Sequence, residues 1–295
     1  MNLLVLLAAV VVGTWNGNWF PSGRAEHRAH PDVEEATITA AAKMLRSGLD
    51  AVDPSGRDDV ILVLNEMRGP KAASNLVARI GRPGLRLVSI SAYRRRDRFD
   101  MQQDAVATTL PVVEKGWWKW TSAGRETPPR GYAYAALVVE PAVTARVCAV
   151  HLKSNYGATT PERKELDRAK RARAVSELLG RETSPYVLVA GDMNADRWRR
   201  EFAQEKIFGL FDRAGFLDLL ALLPPGGRGT HPNRRWGDSA LDYVFARGFT
   251  SDGPLHLEPN AALSDHYAFF ARLAVSGARC LCHAEQPVRG PVMVK

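Results

Sequence analysis

The sequence predicts an α/β fold in which two packed β-sheets are flanked by helices, and three observations carry that prediction. Strand-like apolar runs alternate with helical segments early in the chain, while later runs are joined by short turns. This mixture suits two packed sheets better than one parallel, doubly wound sheet. Runs such as DVILVLNE are continuous in Val, Ile and Leu, the pattern of a strand covered on both faces. Six runs also end in an acidic, amide or histidine side chain, which a buried strand has no reason to do because burying such groups unpaired is costly. Strands converging on one sheet edge can instead pool those groups in a single cleft.

The elements follow in order. MNLLVLLAAVVVG runs directly into TWNGNWF, so the first strand presents Asn16. The apolar stretch has the length of a signal-peptide core, yet it lacks a basic leader and a clean cleavage site and is too short to span a bilayer. Cleavage after Gly13 would remove the strand, so two alternatives stand: an uncleaved first strand in a cytoplasmic protein, or an export signal overlapping the strand in a secreted or periplasmic one. HPDVEEATITAAAKMLRSGLD spaces Val33, Ile38, Ala41, Leu45 and Leu49 for a helix. A strand ending in Asn65-Glu66, a short helix in KAASNLVARI and a strand in LRLVSISAY come next. A basic loop, YRRRDRFD, returns through the strand AVATTLPVV to a Trp-rich loop, GWWKW. PRGYAYAALVVE and ARVCAVHLKSN read as an antiparallel pair turning near Pro141. Thr160 and Pro161 are an N-cap and first helical residue, and YVLVAGDMN, helical pieces from Glu205, a Gly/Pro-rich loop, the ALDYVFA strand and the SDHYAFFA strand complete the order. With no repeat and no Pro/Ser-rich linker, residues 1–275 are one domain and 276–295 a tail.

Composition bounds the function. The chain has 295 residues, 45% hydrophobic, 24% charged, with net charge +8 and a pI near 9.6, which describes a globular protein suited to a polyanionic partner. Three cysteines make no disulfide framework. Cys148 lies in an apolar run, and Cys280-x-Cys282 with His283 lacks the four-ligand pattern of structural zinc.

Chemistry is concentrated at the strand ends. Glu66 offers the carboxylate that a hard cation such as Mg²⁺ takes while keeping positions open for water and phosphate. In GDMN, Gly191 permits a sharp turn, and Asp192 and Asn194 then reach one site, although Asp, Asn and Gly are also common turn residues. Asp265 and His266 face opposite sides of an extended chain and are not expected to pair. Asp242 is the better partner for His266, since a carboxylate behind an imidazole fixes its tautomer and raises its basicity. His151 supplies a second imidazole.

Taken together, TWN, NE, HLKSN, GDMN, LDYVF and SDH, in this order from about residue 5 to about 275, resemble the endonuclease/exonuclease/phosphatase superfamily. That group includes pancreatic-type deoxyribonucleases, abasic-site endonucleases, neutral sphingomyelinases and inositol-polyphosphate phosphatases. The resemblance implies a four-layered α/β sandwich and Mg²⁺-dependent phosphoester cleavage, with Mn²⁺ or Ca²⁺ as alternative ions. It implies a metal set with Glu66 as principal ligand, Asn16 holding a neighbouring catalytic Asp or the metal-site water, and Asp265 near the metal. His151 would bind the scissile phosphate or assist the leaving oxygen, while Asp192 and Asn194 would position water and phosphate. The His266–Asp242 pair would serve as general base or phosphate stabiliser. Some members back the first histidine with a carboxylate; here GYAYAALV offers only the hydroxyls of Tyr132 and Tyr134. Lys153, Asn155 and Arg130 are candidate phosphate contacts or ordinary strand-end polar residues.

The expected activity is therefore that of a monomeric Mg²⁺-dependent nuclease acting on DNA or RNA, without membrane insertion. The nucleic-acid preference rests on positive charge, YRRRDRFD and GWWKW. The alternatives are a sphingomyelinase-like or phosphatase-like enzyme, and a non-catalytic binding module that keeps the fold.

Overall fold

A computed structural model describes residues 9–21, 31–95, 98–99, 102–233, 235, 237–259 and 262–276. The first strand, β1 (Ala9–Phe20), crosses through α1 (Pro31–Val52) to the parallel β2 (Asp59–Met67). α2 (Pro70–Arg79) leads to β3 (Arg86–Ile90), and a small antiparallel ribbon, β4 (Arg94–Arg95) with β5 (Arg98–Phe99), stands where a basic loop was expected. β6 (Gln103–Thr108) then enters the sheet between β2 and β3.

The chain moves to a second sheet through a meander of β7 (Val112–Lys119), β8 (Gly131–Glu140) and β9 (Val143–His151). α3 (Pro161–Arg181) is capped by Thr160, whose side chain accepts from the Arg163 N–H, with Pro161 at the first turn as expected. It delivers β10 (Val187–Asp192) parallel to β9. α4 (Ile207–Arg213), the two-residue β11 (Leu217–Asp218) and β12 (Asp242–Arg247) complete this sheet. The last strands, β13 (Phe249–Glu258) and β14 (Ala268–Val275), return to the first sheet beside β1. The orders are β13-β14-β1-β2-β6-β3 and β11-β12-β10-β9-β8-β7.

Side-chain alternation explains the layers. In a strand, successive residues face opposite sides. Val10, Val12, Ile61, Val63 and Val106 face inward and pack between the sheets with Val147, Ala149, Leu188 and Val244. Val11, Val60, Leu62 and Leu64 face outward and pack under Ile38, Ala41, Leu45 and Leu49 of α1 and Leu76 of α2. Ala174, Val175 and Leu178 of α3 and Phe211 of α4 cover the second sheet. The result is the expected four-layered α/β sandwich of two six-stranded mixed sheets. Burial on both faces is why the strands read as unbroken apolar runs.

The structure differs from the sequence reading in three further places. GWWK is not a loop but part of the edge strand β7, with Trp117 paired to Ala133 and Trp118 to Tyr132. Ser264-Asp265-His266 do not open the last strand; they form a bend before β14. Asp242 is the first residue of its strand, not its middle. Cys280, Cys282, His283 and the tail from residue 277 lie outside the described residues, as do residues 1–8 of the apolar N-terminal run. Among the described residues no helix is long and apolar enough to cross a membrane.

Candidate active site

The strand ends named above meet at one edge of the sandwich. β9, β10 and β12 are neighbours in register, with Asp192 paired to His151 on one side and to Asp242 on the other. On the facing sheet Asn16 pairs with Asn65, which places Glu66 at the same edge. The backbone there is unusual. Among the described residues, the non-glycine positions with left-handed φ are Asn18 (49°), Trp19 (60°), Glu66 (58°), Arg130 (66°), Ala142 (66°) and Asn194 (50°). All but Ala142 belong to the segments bearing this cluster, and such strain is typically held where a side chain must be aimed. The β2–β6 pairing shifts register between Leu64 and Met67, which turns Glu66 away from the outward side that its place in the strand would give it.

Asn16, Glu66 and Asp192 form the centre. The Asn16 amide nitrogen donates to Asp192 Oδ2 (2.9 Å) and to Glu66 Oε1 (3.3 Å), and its Oδ1 accepts from the Asn18 N–H. Asn16 therefore holds the two acids through its nitrogen, the first of the roles considered for it, rather than presenting an oxygen to an ion. Glu66 Oε2 accepts from the Trp19 N–H at 3.2 Å. Asn194 closes an Asx turn onto Asp192 Oδ1 (2.8 Å) and donates to Leu152 O (3.1 Å).

Two imidazoles flank this centre. His151 Nε2 lies 3.6 Å from Glu66 Oε1 and 3.7 Å from Asp192 Oδ2. Its Nδ1 is buried and has no hydrogen-bond partner, so no carboxylate backs it. His266 Nδ1 lies 2.7 Å from Asp242 Oδ2, the expected pair, and its Nε2 is 3.8 Å from Asp192 Oδ2. The rings have opposite charge preferences. Burial drives His151 well below the usual imidazole range, and the charges of Arg130, His266 and Lys153 push the same way. Burial also opposes charge on His266, but Asp242, then Asp192 and Asp265, raise it to about 10. Burial raises Asp192, with Asp242 and Glu66 adding to the effect and His266 opposing it.

Asp265 is half exposed and bends back so that Oδ1 comes within 4.0 Å of His266 Nε2. An extended chain would have separated the two, and the bend is why they approach. The donor set fits a hard divalent cation: two buried carboxylates face each other with a single amide between them, and an ion would offset the burial, and the Asp242 and Glu66 charges, that raise Asp192.

The candidate phosphate contacts divide. Arg130 stays at the site, donating to His151 O at 3.4 Å. Lys153 and Asn155 turn towards α3. Lys153 Nζ pairs with Asp167 (3.2 Å) and donates to Ser154 O. Asn155 Oδ1 accepts from the buried Arg171 (3.0 Å), which also donates to Lys153 O (2.6 Å) and pairs with Glu205. These two shape the loop after His151.

A sequence profile of the Endonuclease/Exonuclease/phosphatase family matches residues 13–266. The chain belongs to this family. No curated protein matches it in sequence. Among solved structures it is similar to an endonuclease/exonuclease/phosphatase from Beutenbergia cavernae DSM 12333, at 17% identity over 92% of this chain and 72% of that one, TM-score 0.63. The human Nocturnin catalytic domain with bound sulfate is similar at 15% identity over 92% and 96%, TM-score 0.61. Sphingomyelinase C from Streptomyces griseocarneus is similar at 17% identity over 90% and 99%, TM-score 0.54.

Within this family frame the structure adds residues that the sequence reading passed over. Asp104, at the inward start of β6, is fully buried; burial pushes it up to about 7, with Arg130, Asn65 and Tyr93 pulling down. Asn65, next to Glu66, is fully buried as well. His231 stands edge-to-face to His266, ring centroids 4.9 Å apart, with Nε2 3.8 Å from Asp265 Oδ2. It is placed by Thr230, whose Oγ1 accepts from the Leu241 and Asp242 N–H groups. The one available signal for Asp104 was a carboxylate just before an apolar run. His231 carried none, because its loop reads only as Gly/Pro-rich.

Proposed function

We propose that the protein is a divalent-metal-dependent phosphodiesterase that cuts nucleic acid by water attack. The observation that carries this reading is the meeting of Asn16, Glu66, Asp192, His151 and the His266–Asp242 pair at one buried sheet edge. Glu66 and Asp192, with Asp265 nearby, are the residues that would hold the ion. Bound there, it would neutralise a non-bridging phosphate oxygen and the charge developing in the transition state. Asp192, steadied by Asn16 and by the Asn194 N–H, accepts a hydrogen bond from the attacking water and aims it at phosphorus. His266, kept as an imidazolium by Asp242, donates from Nε2 to a phosphate oxygen. His151 is uncharged and offers its Nε2 to the phosphate or the leaving oxygen. With these groups buried, each charge acts more strongly than it would in water.

A nucleic-acid substrate is supported by the net charge of +8 and by aromatic rings on the surface. Trp117 and Trp118 of the edge strand and Trp198, four residues after Asn194, are each about 40% exposed, and the Arg228 guanidinium lies 4.5 Å from the Trp198 ring centre. Such rings stack on bases while arginines neutralise the backbone.

The test is cleavage of plasmid DNA and of an RNA oligonucleotide with Mg²⁺ or EDTA, by the wild type and by Glu66→Ala. The reading expects Mg²⁺-dependent cutting that EDTA abolishes and that Glu66→Ala lowers by at least about 10³-fold. Hydrolysis of a bis-aryl phosphodiester with both nucleic acids untouched would move the substrate to a small or lipid phosphoester. Equal inertness of both proteins toward every phosphoester would leave a binding module.

A further inference from the structure

We propose that Asn65 is a positioning residue: its carboxamide bridges the two sheets and sets the spacing of Glu66, His151 and Asp192, and Asp104 orients it. The inference rests on reading those three side chains as the reacting cluster.

The cluster is drawn from two different sheets, and no backbone ladder joins them: Glu66 comes from β2, His151 and Asp192 from β9 and β10. Stacked sheets are separated by about 10 Å of side chains, and apolar packing alone specifies the offset loosely because it is non-directional. Asn65 occupies the next inward position after Ile61 and Val63 in the period-two pattern of β2. A third apolar residue would continue the core there. A fully buried amide stands instead, and both of its ends reach across the gap. Nδ2 donates to Val150 O at 3.1 Å, and Oδ1 accepts from the Asp192 N–H at 3.2 Å. Val150 immediately precedes His151 as Asn65 precedes Glu66, so one side chain ties the backbone beside all three groups.

The amide has two chemically different ends, and Asp104 selects between them. Its Oδ1 accepts from Asn65 Nδ2 at 2.8 Å, which leaves only the carbonyl oxygen for the Asp192 N–H. Asp104 is itself held: its N–H donates to Ser91 Oγ (2.9 Å), and its Oδ2 accepts from Tyr93 OH (3.2 Å). Ser91 and Tyr93 are buried in turn against Gln103. Room for the bridge comes from Gly191, where a Cβ would stand 2.7 Å from Asn65 Oδ1 and 2.0 Å from Val150 O.

The deciding experiment combines structure and kinetics. Asn65→Leu keeps the volume and removes all three hydrogen bonds. Its crystal structure is expected to show the Glu66 Oε1 to His151 Nε2 separation widened from 3.6 Å. Its Mn²⁺-saturated turnover of bis-p-nitrophenyl phosphate, per folded molecule, should fall by about 100-fold at similar KM, the usual scale for misplacement of about 1 Å. Asn65→Asp sets two carboxylates face to face. Adding Asp104→Asn restores a donor–acceptor pair and should recover about tenfold of the lost turnover, which keeps the test open where Asn65→Leu fails to fold. An unchanged cluster spacing in Asn65→Leu, or lost thermal stability with full turnover per folded molecule, overturns the proposal. Widened spacing in a protein whose wild type cuts no phosphoester supports the bridge while removing the reading of function.

Discussion

Two imidazoles within 4 Å of one carboxylate prefer opposite charge states: burial and the charges of Arg130, His266 and Lys153 lower His151, while Asp242, Asp192 and Asp265 outweigh burial at His266. His266 has Asp242 behind it, and His151 has no partner at Nδ1. Two outcomes follow at this scale. Replacing His266 by Ala should lower kcat by about 10²–10⁴-fold with the thermal transition retained; near-wild-type turnover would remove His266 from the mechanism. Asp242→Asn removes the main cause that raises His266, so its pKa should drop from about 10 towards the ordinary range. The sign follows from the charged form being the active one: activity needs His266 protonated, so it is lost as pH rises through that pKa. Asp242→Asn should therefore lose activity from about pH 7 upward, where the wild type stays active, and a pH–rate profile of both proteins checks it. The identities of these residues were legible in the sequence from their strand ends. Their charge states were not, since burial and distance decide them.

At the scale of elements, two devices hold the edge in shape. Gly191 has φ 134°, and any side chain there would strike Val150 O. Gly191→Ala should cost about 3 kcal/mol or more, read from denaturant melts; a loss below about 1 kcal/mol would show that β9 and β10 yield easily. Arg171 is the second device, a fully buried guanidinium of α3 shared between Glu205 and the loop after His151. Arg171→Met leaves Glu205 buried and unpaired and should cost about 3–5 kcal/mol. Arg171→Met with Glu205→Leu should recover most of that stability, while turnover stays reduced because Lys153 O and Asn155 lose their donor. Full recovery of both would make Arg171 a stability residue alone. The strand that bears Gly191 was legible from its apolar run and the capped α3 from Thr160-Pro161. The GWWK strand was not: as an edge strand with exposed positions on both faces it shows no alternation, and only its pairing with β8 defines it.

For the whole molecule, the outer helices must stay docked for the sheets to keep their edge. One buried ion pair ties the two that cover the first sheet: Asp53, just after α1, pairs with Arg82, just after α2. Burial raises the Asp53 pKa, but hydrogen bonds from Ser55 and Arg82 and from the Asp58 N–H, with the charge of Arg82, outweigh it and leave it below the usual value. A carboxyl whose folded pKa is depressed contributes stability above its unfolded pKa and loses it as pH falls through the folded value. The stability gap between wild type and Asp53→Asn should be full at neutral pH and shrink below about pH 4, measured by urea melts across that range. A gap independent of pH would mean that the pair contributes nothing through its charge.

By itself the sequence determined the layers and most of the chemistry. Continuous apolar runs call for burial on both faces and polar strand ends suit a common cleft, so two sheets with helices outside follow from local pattern and order, while the phosphoesterase reading of the residue set is what the resemblance of its motifs to a known family implies. Tertiary structure alone decided what pairs with what. Asn16 facing two acids by its nitrogen, Asp265 bending back to His266, Asn65 and Asp104 spanning the sheets and His231 standing beside His266 all join residues remote in sequence or depend on a local bend. Hydrogen bonds are directional and reach about 3 Å, so such contacts exist only once packing has set the distance between the sheets.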